Sequence, residues 1–339
     1  MKRIFLTVDT ECHDGNLENN YIWGVVKGKK YGLPLILAEG KRLGVPVNVF
    51  FDMCEANRYG EDYATRIIDE VRSYGHPLCL HLHPNYVSGD DDKSYLWQYS
   101  YDEQKAILDE GIRQYKRLTG KERLDVFRAG RYSASPEMYR ALSELGESCV
   151  DLSYCYKNEK MCKLLYEDVG VINAPTVYEG QTVLPNTRFV CFDYFGKVRA
   201  LNTDLREARF GEIKDVLSQI HDGDVVFTIH SWHFFNRYFF TDKIKGNKGQ
   251  IKKFRKIVKY CKEHGWTFAD LTTASFDTAP QNEQVINNCK SPWQKVKSLV
   301  YNFLRFQDTA KLNKKYFLLY LAFYGLVGLG ALIALLLII

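Results

Sequence analysis

Short apolar segments with strand character alternate along the chain with longer segments of helical periodicity. Strands are predicted at residues 3–9, 47–51, 78–83, 124–127 and 149–152, and helices at 34–42, 61–73 and 101–118. A further helix begins after Ser135, has Pro136 at its first position and ends before Gly146, which is typical helix-boundary chemistry. A repeated order of strand and then helix predicts an α/β fold with a parallel sheet or barrel.

The alternation is interrupted between residues 157 and 205. Pro175, Gly180 and Pro185 break the pattern, and an irregular or antiparallel insertion is expected there. The order then resumes with a helix at 211–220, a strand at 224–230, a helix at 249–264 and a strand at 266–271.

Polar residues stand at the carboxyl ends of most predicted strands, where α/β barrels carry their chemistry. They are Asp9 and Glu11, His81 and His83, Arg128, Asp151, and His230. Because side chains two apart in a strand point to one face, His81 and His83 aim one way while Leu80 and Leu82 face the core.

Two histidines on one strand end favour a metal site, with a satisfied buried pair as the alternative. A catalytic divalent metal usually takes three protein ligands and keeps one position open for water. Glu11 is the candidate third ligand, because Thr10 points to the other face and leaves Asp9 and Glu11 on the same side. Together these groups predict metal-assisted hydrolysis, in which a carboxylate accepts a proton from water and His230 protonates the leaving atom.

Four segments resemble successive motifs of the polysaccharide deacetylases, the NodB-homology proteins of carbohydrate esterase family four. They occur in the family's order and fit best the branch associated with O-antigen or lipopolysaccharide assembly. The segments are Thr7-Val8-Asp9-Thr10-Glu11, Gly75-His76-Pro77-Leu78-Cys79-Leu80-His81-Leu82-His83-Pro84, Phe127-Arg128-Ala129-Gly130-Arg131-Tyr132 and Phe227-Thr228-Ile229-His230-Ser231.

The resemblance covers residues 1–275 and implies a distorted (β/α) barrel with one divalent metal ion. It implies that Asp9 is the catalytic base, His81 a metal ligand, Arg128 the arginine that orients the base, and His230 the general acid. Glu11 and His83 complete the predicted metal set, although the family has adjacent aspartates and spaces its histidines HxxxH. Zinc is the first candidate for the metal, and Co, Ni, Mn or Fe also suit mixed histidine and carboxylate ligands.

Several assignments stay open at this stage. Arg131 competes with Arg128, and His233 competes with His230. Asp151 either holds Arg128 or caps the following turn. The aromatic cluster that follows His230 is either a sugar-stacking or membrane-facing loop or ordinary buried packing, and it comprises Trp232, His233, Phe234, Phe235, Tyr238, Phe239 and Phe240.

The C-terminal part of the chain changes the picture of where the protein acts. Residues 316–339 carry no charge and are long enough for a transmembrane helix. Residues 276–315 are interpreted as a basic linker with a juxtamembrane amphipathic segment. Seven of the 46 Lys and Arg residues lie between Lys290 and Lys315, which leaves 39 basic and 40 acidic residues before them. The net charge of +5 therefore gives no reason to expect nucleic acid.

The basic flank and the nine scattered cysteines predict a single-pass protein of the cytoplasmic membrane with its catalytic domain in the cytoplasm. The expected function is removal of an acetyl group, expected on nitrogen, from a sugar of a glycan or lipid-linked glycan precursor. Two alternatives are a catalytically silent glycan-binding or scaffold protein with this fold, and another metal-dependent amidohydrolase or phosphoesterase.

Overall fold

The computed structural model of the chain describes residues 1–12, 18–238, 243–278 and 285–323. The strands are β1 (Lys2–Thr10), β2 (Val25–Val26), β3 (Lys29–Lys30), β4 (Asn48–Asp52), β5 (Leu78–Leu82), β6 (Val126–Ala129), β7 (Val150–Asp151), β8 (Thr176–Tyr178), β9 (Gln181–Val183), β10 (Arg188–Tyr194), β11 (Lys197–Asn202), β12 (Gly223–His230), β13 (Phe235–Arg237), β14 (Ile244–Gly246), β15 (Thr267–Phe268) and β16 (Ile286–Asn287). The helices are α1 (Leu33–Leu43), α2 (Ala56–Tyr59), α3 (Glu61–Tyr74), α4 (Asn85–Ser88), α5 (Tyr101–Thr119), α6 (Pro136–Glu144), α7 (Tyr166–Val169), α8 (Phe210–Gln219), α9 (Lys248–Glu263) and α10 (Pro292–Ala310).

Local capping chemistry sets the ends of the long helices. The Ser100 hydroxyl accepts from the Glu103 N–H at the start of α5, and the Glu103 carboxylate accepts from Ser100 in return. Ser135 caps α6 in the same way, through the Met138 N–H. Gly120 ends α5 with a φ of 73°, a left-handed conformation that glycine adopts without strain. The ends of the predicted helices agree with those in the structure to within two residues in most cases.

The main sheet has nine strands in the order β12-β1-β4-β5-β6-β7-β9-β8, with β15 paired to the start of β1. All pairs in it are parallel except β8 with β9. The α/β class with a parallel sheet is confirmed. Among the described residues β8 and β12 do not pair, so the sheet is a curled half-barrel and not a closed barrel.

The curled sheet encloses a small core of its own. Successive strands or strand ends each contribute one buried side chain to it, namely Phe5, Phe50, Cys79, Val126, Leu152, Leu184, Val226 and Leu271. The opposite face, which includes Leu80 and Leu82, packs against the helices in the larger core. Alternation along β5 therefore turns His81 and His83 toward the inside of the half-barrel, as the sequence predicts.

The interrupted stretch contains two antiparallel pairs, β8 with β9 and β10 with β11. This confirms the predicted antiparallel insertion. The β10 strand also pairs in parallel with β16, so part of the chain after residue 285 joins this second sheet.

Helix α10 lies within the predicted linker and juxtamembrane segment, and it packs on the folded body. Arg305 forms a buried ion pair with Glu212 of α8 at 2.7 Å and also donates to the Glu207 carbonyl. The Ser298 hydroxyl donates to the Cys191 carbonyl of β10. The division of the chain at residues 275 and 315 stays a prediction.

The predicted membrane localisation is wrong on the described part of the chain. None of the helices in the described ranges combines the length and the apolar character needed to span a bilayer. Of the predicted transmembrane segment 316–339, residues 316–323 belong to a helix that begins at 314, and residues 324–339 lie outside the described ranges.

Candidate active site

The carboxyl ends of β1, β5, β6 and β12 surround one open cavity of about 200 Å³. The six residues to which the sequence analysis assigns a catalytic or metal-binding role line it, together with three neighbours from the β6 end, whereas Asp151 does not. The lining residues are Asp9, Glu11, His81, His83, Arg128, Ala129, Arg131, Tyr132 and His230. The structure thus brings the predicted residues together, while their roles stay predictions.

Strand register explains why residues so distant in sequence meet at this cavity. Asp9 of β1 lies opposite His230 of β12, and His81 of β5 lies opposite Arg128 of β6. In a parallel sheet, partners in register carry their side chains to the same face at the same height.

Glu11, His81 and His83 form a compact set of potential metal ligands. One donor atom from each lies within 4.8 Å of the other two. The His81 Nε2 atom is 3.7 Å from Glu11 Oε2, and His83 Nε2 contacts the same oxygen. All three residues are buried.

The hydrogen bonding of His81 fits a metal ligand. Its Nδ1 atom lies 2.9 Å from the Arg128 carbonyl oxygen, which only accepts. Nδ1 therefore carries a hydrogen, and in the neutral imidazole Nε2, on the Glu11 side of the ring, has the lone pair that can bind a cation. Metal-binding histidines usually donate the N–H of the non-ligating nitrogen to a carbonyl or carboxylate, as Nδ1 does here.

The charge balance at Glu11 is also suited to a cation. Burial raises the pKa of the Glu11 carboxyl, but the His83 and His81 imidazoles outweigh this effect, and its pKa lies well below the ordinary value. Glu11 is thus a carboxylate near neutral pH. A buried carboxylate with two imidazoles matches the ligand chemistry of zinc and related divalent metals.

Two neighbours position His83. Its backbone N–H donates to Asp52 Oδ2 at 2.7 Å, and burial raises the pKa of that carboxyl. On the other side the ring lies against Gly130, where a Cβ atom would come within 2.6 Å of it. Any side chain at position 130 would therefore displace the imidazole.

Asp9 and Arg128 form a fully buried ion pair beside the ligand set. One guanidinium nitrogen of Arg128, Nη1, contacts Asp9 Oδ1, and Nη2 donates to Thr7 Oγ1 at 3.1 Å. The guanidinium also lies over the Phe50 ring, 4.2 Å from its centroid. These contacts hold one Asp9 oxygen and leave the second as an acceptor.

His230 faces the opposite side of the cavity. Its Nδ1 atom is 3.8 Å from Asp204 Oδ2, and its ring lies 4.8 Å from the Trp232 ring between centroids. Asp204 is anchored in turn, because its Oδ1 accepts the backbone N–H groups of Arg206 and Glu207. Asp204 is thus fixed beside the imidazole of His230.

The open alternatives receive different answers from the geometry. Arg128 contacts Asp9, whereas Arg131 is exposed at the cavity edge and lies over Tyr95. His233 is buried and does not line the cavity, and burial keeps its pKa well below the ordinary value. Asp151 accepts from Ser153 N–H at 2.9 Å and from Tyr139, so it caps the turn after β7.

Some residues of the aromatic cluster after His230 are buried packing residues, and one lies beside the cavity. Phe234 and Phe235 are buried packing residues, whereas Trp232 lies beside His230 and is only partly covered. Phe239 and Phe240 lie outside the described residues.

Sequence reasoning missed Asp52 and Asp204. Asp52 directly follows the buried run of β4, so extending the strand-end rule by one residue would have found it. Asp204 lies after β11 in the interrupted stretch and reaches the site through a single bridge with Thr228 of β12. Nothing in the local sequence signals that contact.

Comparison with known proteins adds only distant similarities. No protein-family model matches the chain, and no curated protein matches it. Among solved structures, a Mycobacterium smegmatis protein described as a polysaccharide deacetylase is 16% identical, with 90% of this chain and 91% of that one covered and a TM-score of 0.49.

Two further structures are similar to the chain at this level. For a family 4 carbohydrate esterase from Streptomyces lividans in complex with acetate, the identity is 10%, the coverage 81% and 98%, and the TM-score 0.43. The chitin deacetylase of the fungal pathogen Colletotrichum lindemuthianum is 15% identical, with 82% of this chain and 89% of that one covered and a TM-score of 0.42. At such identities and TM-scores, these similarities do not assign the chain to a family.

Proposed function

We propose that this protein is a metal-dependent hydrolase that removes an acetyl group from the nitrogen of a sugar. The observation that carries the proposal is that one cavity is lined by the three potential metal ligands, by the buried carboxylate of Asp9 and by the imidazole of His230. The four motifs described above supply the choice of an acetylated sugar. A lipid-linked or other glycan is the substrate class these motifs favour.

Glu11, His81 and His83 would hold the cation. The chemistry that a divalent cation supplies when bound there is polarisation of the acetyl carbonyl and activation of a water molecule. Their burial keeps competing water away from the ligand atoms and strengthens their electrostatic interaction with a cation.

Asp9 serves as the general base in this proposal. Arg128 contacts Asp9 through Nη1 and donates to Thr7 through Nη2, and these contacts fix the orientation of the Asp9 carboxylate. The second Asp9 oxygen then accepts a proton from water in the cavity. Arg128 stabilises the carboxylate by a charge-assisted hydrogen bond and does not take part in proton transfer.

His230 serves as the general acid. Amide cleavage requires a proton on the leaving nitrogen, because a free amide anion is too poor a leaving group. Asp204 faces the Nδ1 side of His230, which leaves Nε2 to donate toward the substrate. The proposed base and acid stand on the adjacent strands β1 and β12.

Acetate release tests the proposal. The full chain should bind about one equivalent of zinc and release acetate from N-acetylglucosamine oligomers. The double variant His81→Ala, His83→Ala should lose both properties. A matched double variant, His221→Ala with His264→Ala, removes two exposed imidazoles outside the cavity and should keep both.

Full activity in the His81→Ala, His83→Ala variant would overturn the proposal. Binding of the oligomers without any acetate release by the zinc-loaded wild type would favour a silent glycan-binding protein instead. Metal content, measured on the same preparations, separates loss of the ion from loss of the chemistry.

A further inference from the structure

A second, larger cavity of about 640 Å³ lies between the segment after β11, the start of α9 and the end of α10. Six cationic side chains line it, and we call it the basic pocket. They are Arg206, Arg209, Lys252, Lys253, Lys256 and Lys311. Asp308 is the single acidic side chain in its lining.

The positive charge in the basic pocket is only partly balanced by the protein, through Asp308 in the pocket and through Asp204 and Glu212 behind it. Asp308 pairs with Arg209 at 2.8 Å and with Lys311 at 3.4 Å. Within the described ranges no carboxylate lies within 4.0 Å of the charged groups of Arg206, Lys252 or Lys256. Several like charges that share one concavity repel each other, and an anion bound between them removes that repulsion.

Two of the cations are held in place without an acidic partner. Arg206 donates through Nη2 to the Phe235 carbonyl at 2.9 Å, and Lys253 donates to the Leu205 carbonyl. Burial lowers the pKa of Arg206 and lowers the pKa of Lys253 to about 8. In addition, the buried Nε of Arg209 has no hydrogen-bond partner. These groups are ordered and oriented around the cavity, unlike free surface lysines.

The start of α9 contributes further donors. Asn247, Gly249 and Gln250 line the basic pocket. The Asn247 side chain accepts the Gln250 N–H, and the N–H groups of Lys248 and Gly249 precede the first hydrogen bonds within the helix. The first turn of α9 contains no acidic residue and begins with Lys248. Cations at a helix N-terminus are unfavourable, whereas an anion there is stabilised. The sequence of α9 therefore favours a bound anion at this end.

The basic pocket adjoins the candidate active site. Arg206 and Leu312 also line a cavity of about 470 Å³ that includes Trp232, and the Trp232 ring lies against His230. Arg206 is two residues after Asp204, which faces His230. The basic pocket and the 470 Å³ cavity thus share Arg206 and Leu312, and the contact between Trp232 and His230 joins that cavity to the wall of the candidate active site.

We infer that the acetylated sugar substrate carries a phosphate or diphosphate group, and that this group binds in the basic pocket while the acetyl group lies between Asp9 and His230. This inference rests on the proposed deacetylase function. Arginine guanidinium groups and helix N-terminal N–H groups bind phosphate oxygens with directed hydrogen bonds, and lysines add charge.

Two measurements test the inference. The zinc-loaded full chain is compared on N-acetylglucosamine, N-acetylglucosamine 1-phosphate, UDP-N-acetylglucosamine and a short prenyl diphosphate-linked N-acetylglucosamine. We expect kcat/KM to be at least about tenfold higher for phosphorylated than for neutral sugar, as charge-assisted contacts require. The nucleotide-linked and prenyl-linked compounds distinguish the two sources of a sugar diphosphate.

Pyrophosphate binding, followed by calorimetry, gives a readout that does not depend on activity. The variant Lys252→Gln with Lys256→Gln should lose most of the pyrophosphate affinity and most of the preference for phosphorylated sugar. The matched variant Lys259→Gln with Lys262→Gln removes the same charge from α9 outside the pocket and should behave as the wild type.

The outcomes separate the inference from the function. Equal kcat/KM for neutral and phosphorylated sugars, with no pyrophosphate binding, would overturn the inference and leave the deacetylase intact. Equal losses in the two lysine variants would also overturn it, because the effect would then be one of net charge. If no sugar is deacetylated but pyrophosphate binds with the expected lysine dependence, the deacetylase function fails and the link to a sugar substrate falls with it.

Discussion

The imidazole of His83 lies directly against the α-carbon of Gly130, and a Cβ atom at position 130 would stand 2.6 Å from the ring. This distance is shorter than any van der Waals contact between carbon atoms. Glycine is therefore needed at the end of β6 for its small size, since the ring could not otherwise lie beside Glu11.

Gly130→Ala should weaken zinc binding by about ten- to a hundredfold, as changes in groups that orient metal ligands do. The physical reason is that the His83 ring must turn away from Glu11. Competition with a chelating dye measures the affinity. Gly249→Ala is a control glycine far from the ligands, where a Cβ meets only the Asn247 side chain at 3.2 Å. Unchanged affinity in Gly130→Ala would exclude His83 as a ligand.

Arg128→Lys should lower kcat by about a hundredfold while zinc affinity stays near that of the wild type. A lysine ammonium cannot contact Asp9 and Thr7 together in the way the planar guanidinium does. Arg131→Lys is the matched control, because Arg131 lines the same cavity without contacting Asp9. A larger loss in Arg131→Lys than in Arg128→Lys would reverse the assignment of the two arginines.

His230→Gln should lower kcat by about 10²- to 10⁴-fold, the usual contribution of a general acid. His233→Gln should have a much smaller effect, because His233 is buried behind the cavity wall. Asp204→Asn should lower kcat when it is introduced alone. Added to His230→Gln, it should cause no further loss of kcat, since Asp204 acts through His230. Additive losses in the double variant would show that Asp204 acts independently.

The pH dependence of stability can be tested at Glu39, which lies far from the cavity. Arg255 and Arg42 donate to its carboxylate and lower the pKa of Glu39 from 4.5 to about 2. A carboxyl whose pKa is lower in the folded state stabilises the fold above its unfolded pKa, and this stabilisation is lost as the pH falls toward the folded pKa.

Arg255→Gln should therefore lower the free energy of unfolding by about 1–2 kcal/mol near neutral pH, and by less at about pH 3. Urea unfolding at several pH values measures the difference. Lys259→Gln removes an exposed cation paired with Glu263 on the same helix and should change stability by only about 0.5 kcal/mol at any pH. A loss in Arg255→Gln that does not shrink in acid would contradict the role of Glu39.

Helix α10 offers a test of how the chain is divided. Arg305→Leu should lower the free energy of unfolding by about 3 kcal/mol, because it leaves Glu212 buried without its cation. Lys295→Leu removes a half-exposed lysine of the same helix whose acidic neighbour, Asp193, is itself half-exposed, and it is the control. If α10 were an independent linker, neither change would affect unfolding of the main body.

Much of the fold follows from local patterns. Hydrophobic periodicity together with Ser135, Pro136 and the glycines after the helices predicts the order of strands and helices. The strand-end rule finds the six cavity residues, because parallel strands bring their carboxyl ends to one edge. The same rule missed Asp52 by one residue, since the apolar run of β4 was ended at Phe51.

Other features depend on contacts between distant segments. Whether the sheet closes into a barrel depends on how the interrupted stretch at residues 157–205 packs. That stretch consists of short antiparallel pairs that carry no clear periodicity. The amphipathic spacing of α10 predicts only that one face is apolar. Its partner, which was expected to be a membrane surface, is here β10 and α8.

The sequence by itself determined which side chains share a face. Alternation along a strand is a local property of the backbone, so Asp9 with Glu11, and His81 with His83, were bound to point together. Only the tertiary structure decided which groups these side chains contact. His81 lies against the Arg128 carbonyl, His83 against Asp52 and Gly130, and His230 beside Asp204. Such contacts join residues tens of positions apart, and they exist only once the strands have taken their places in the sheet.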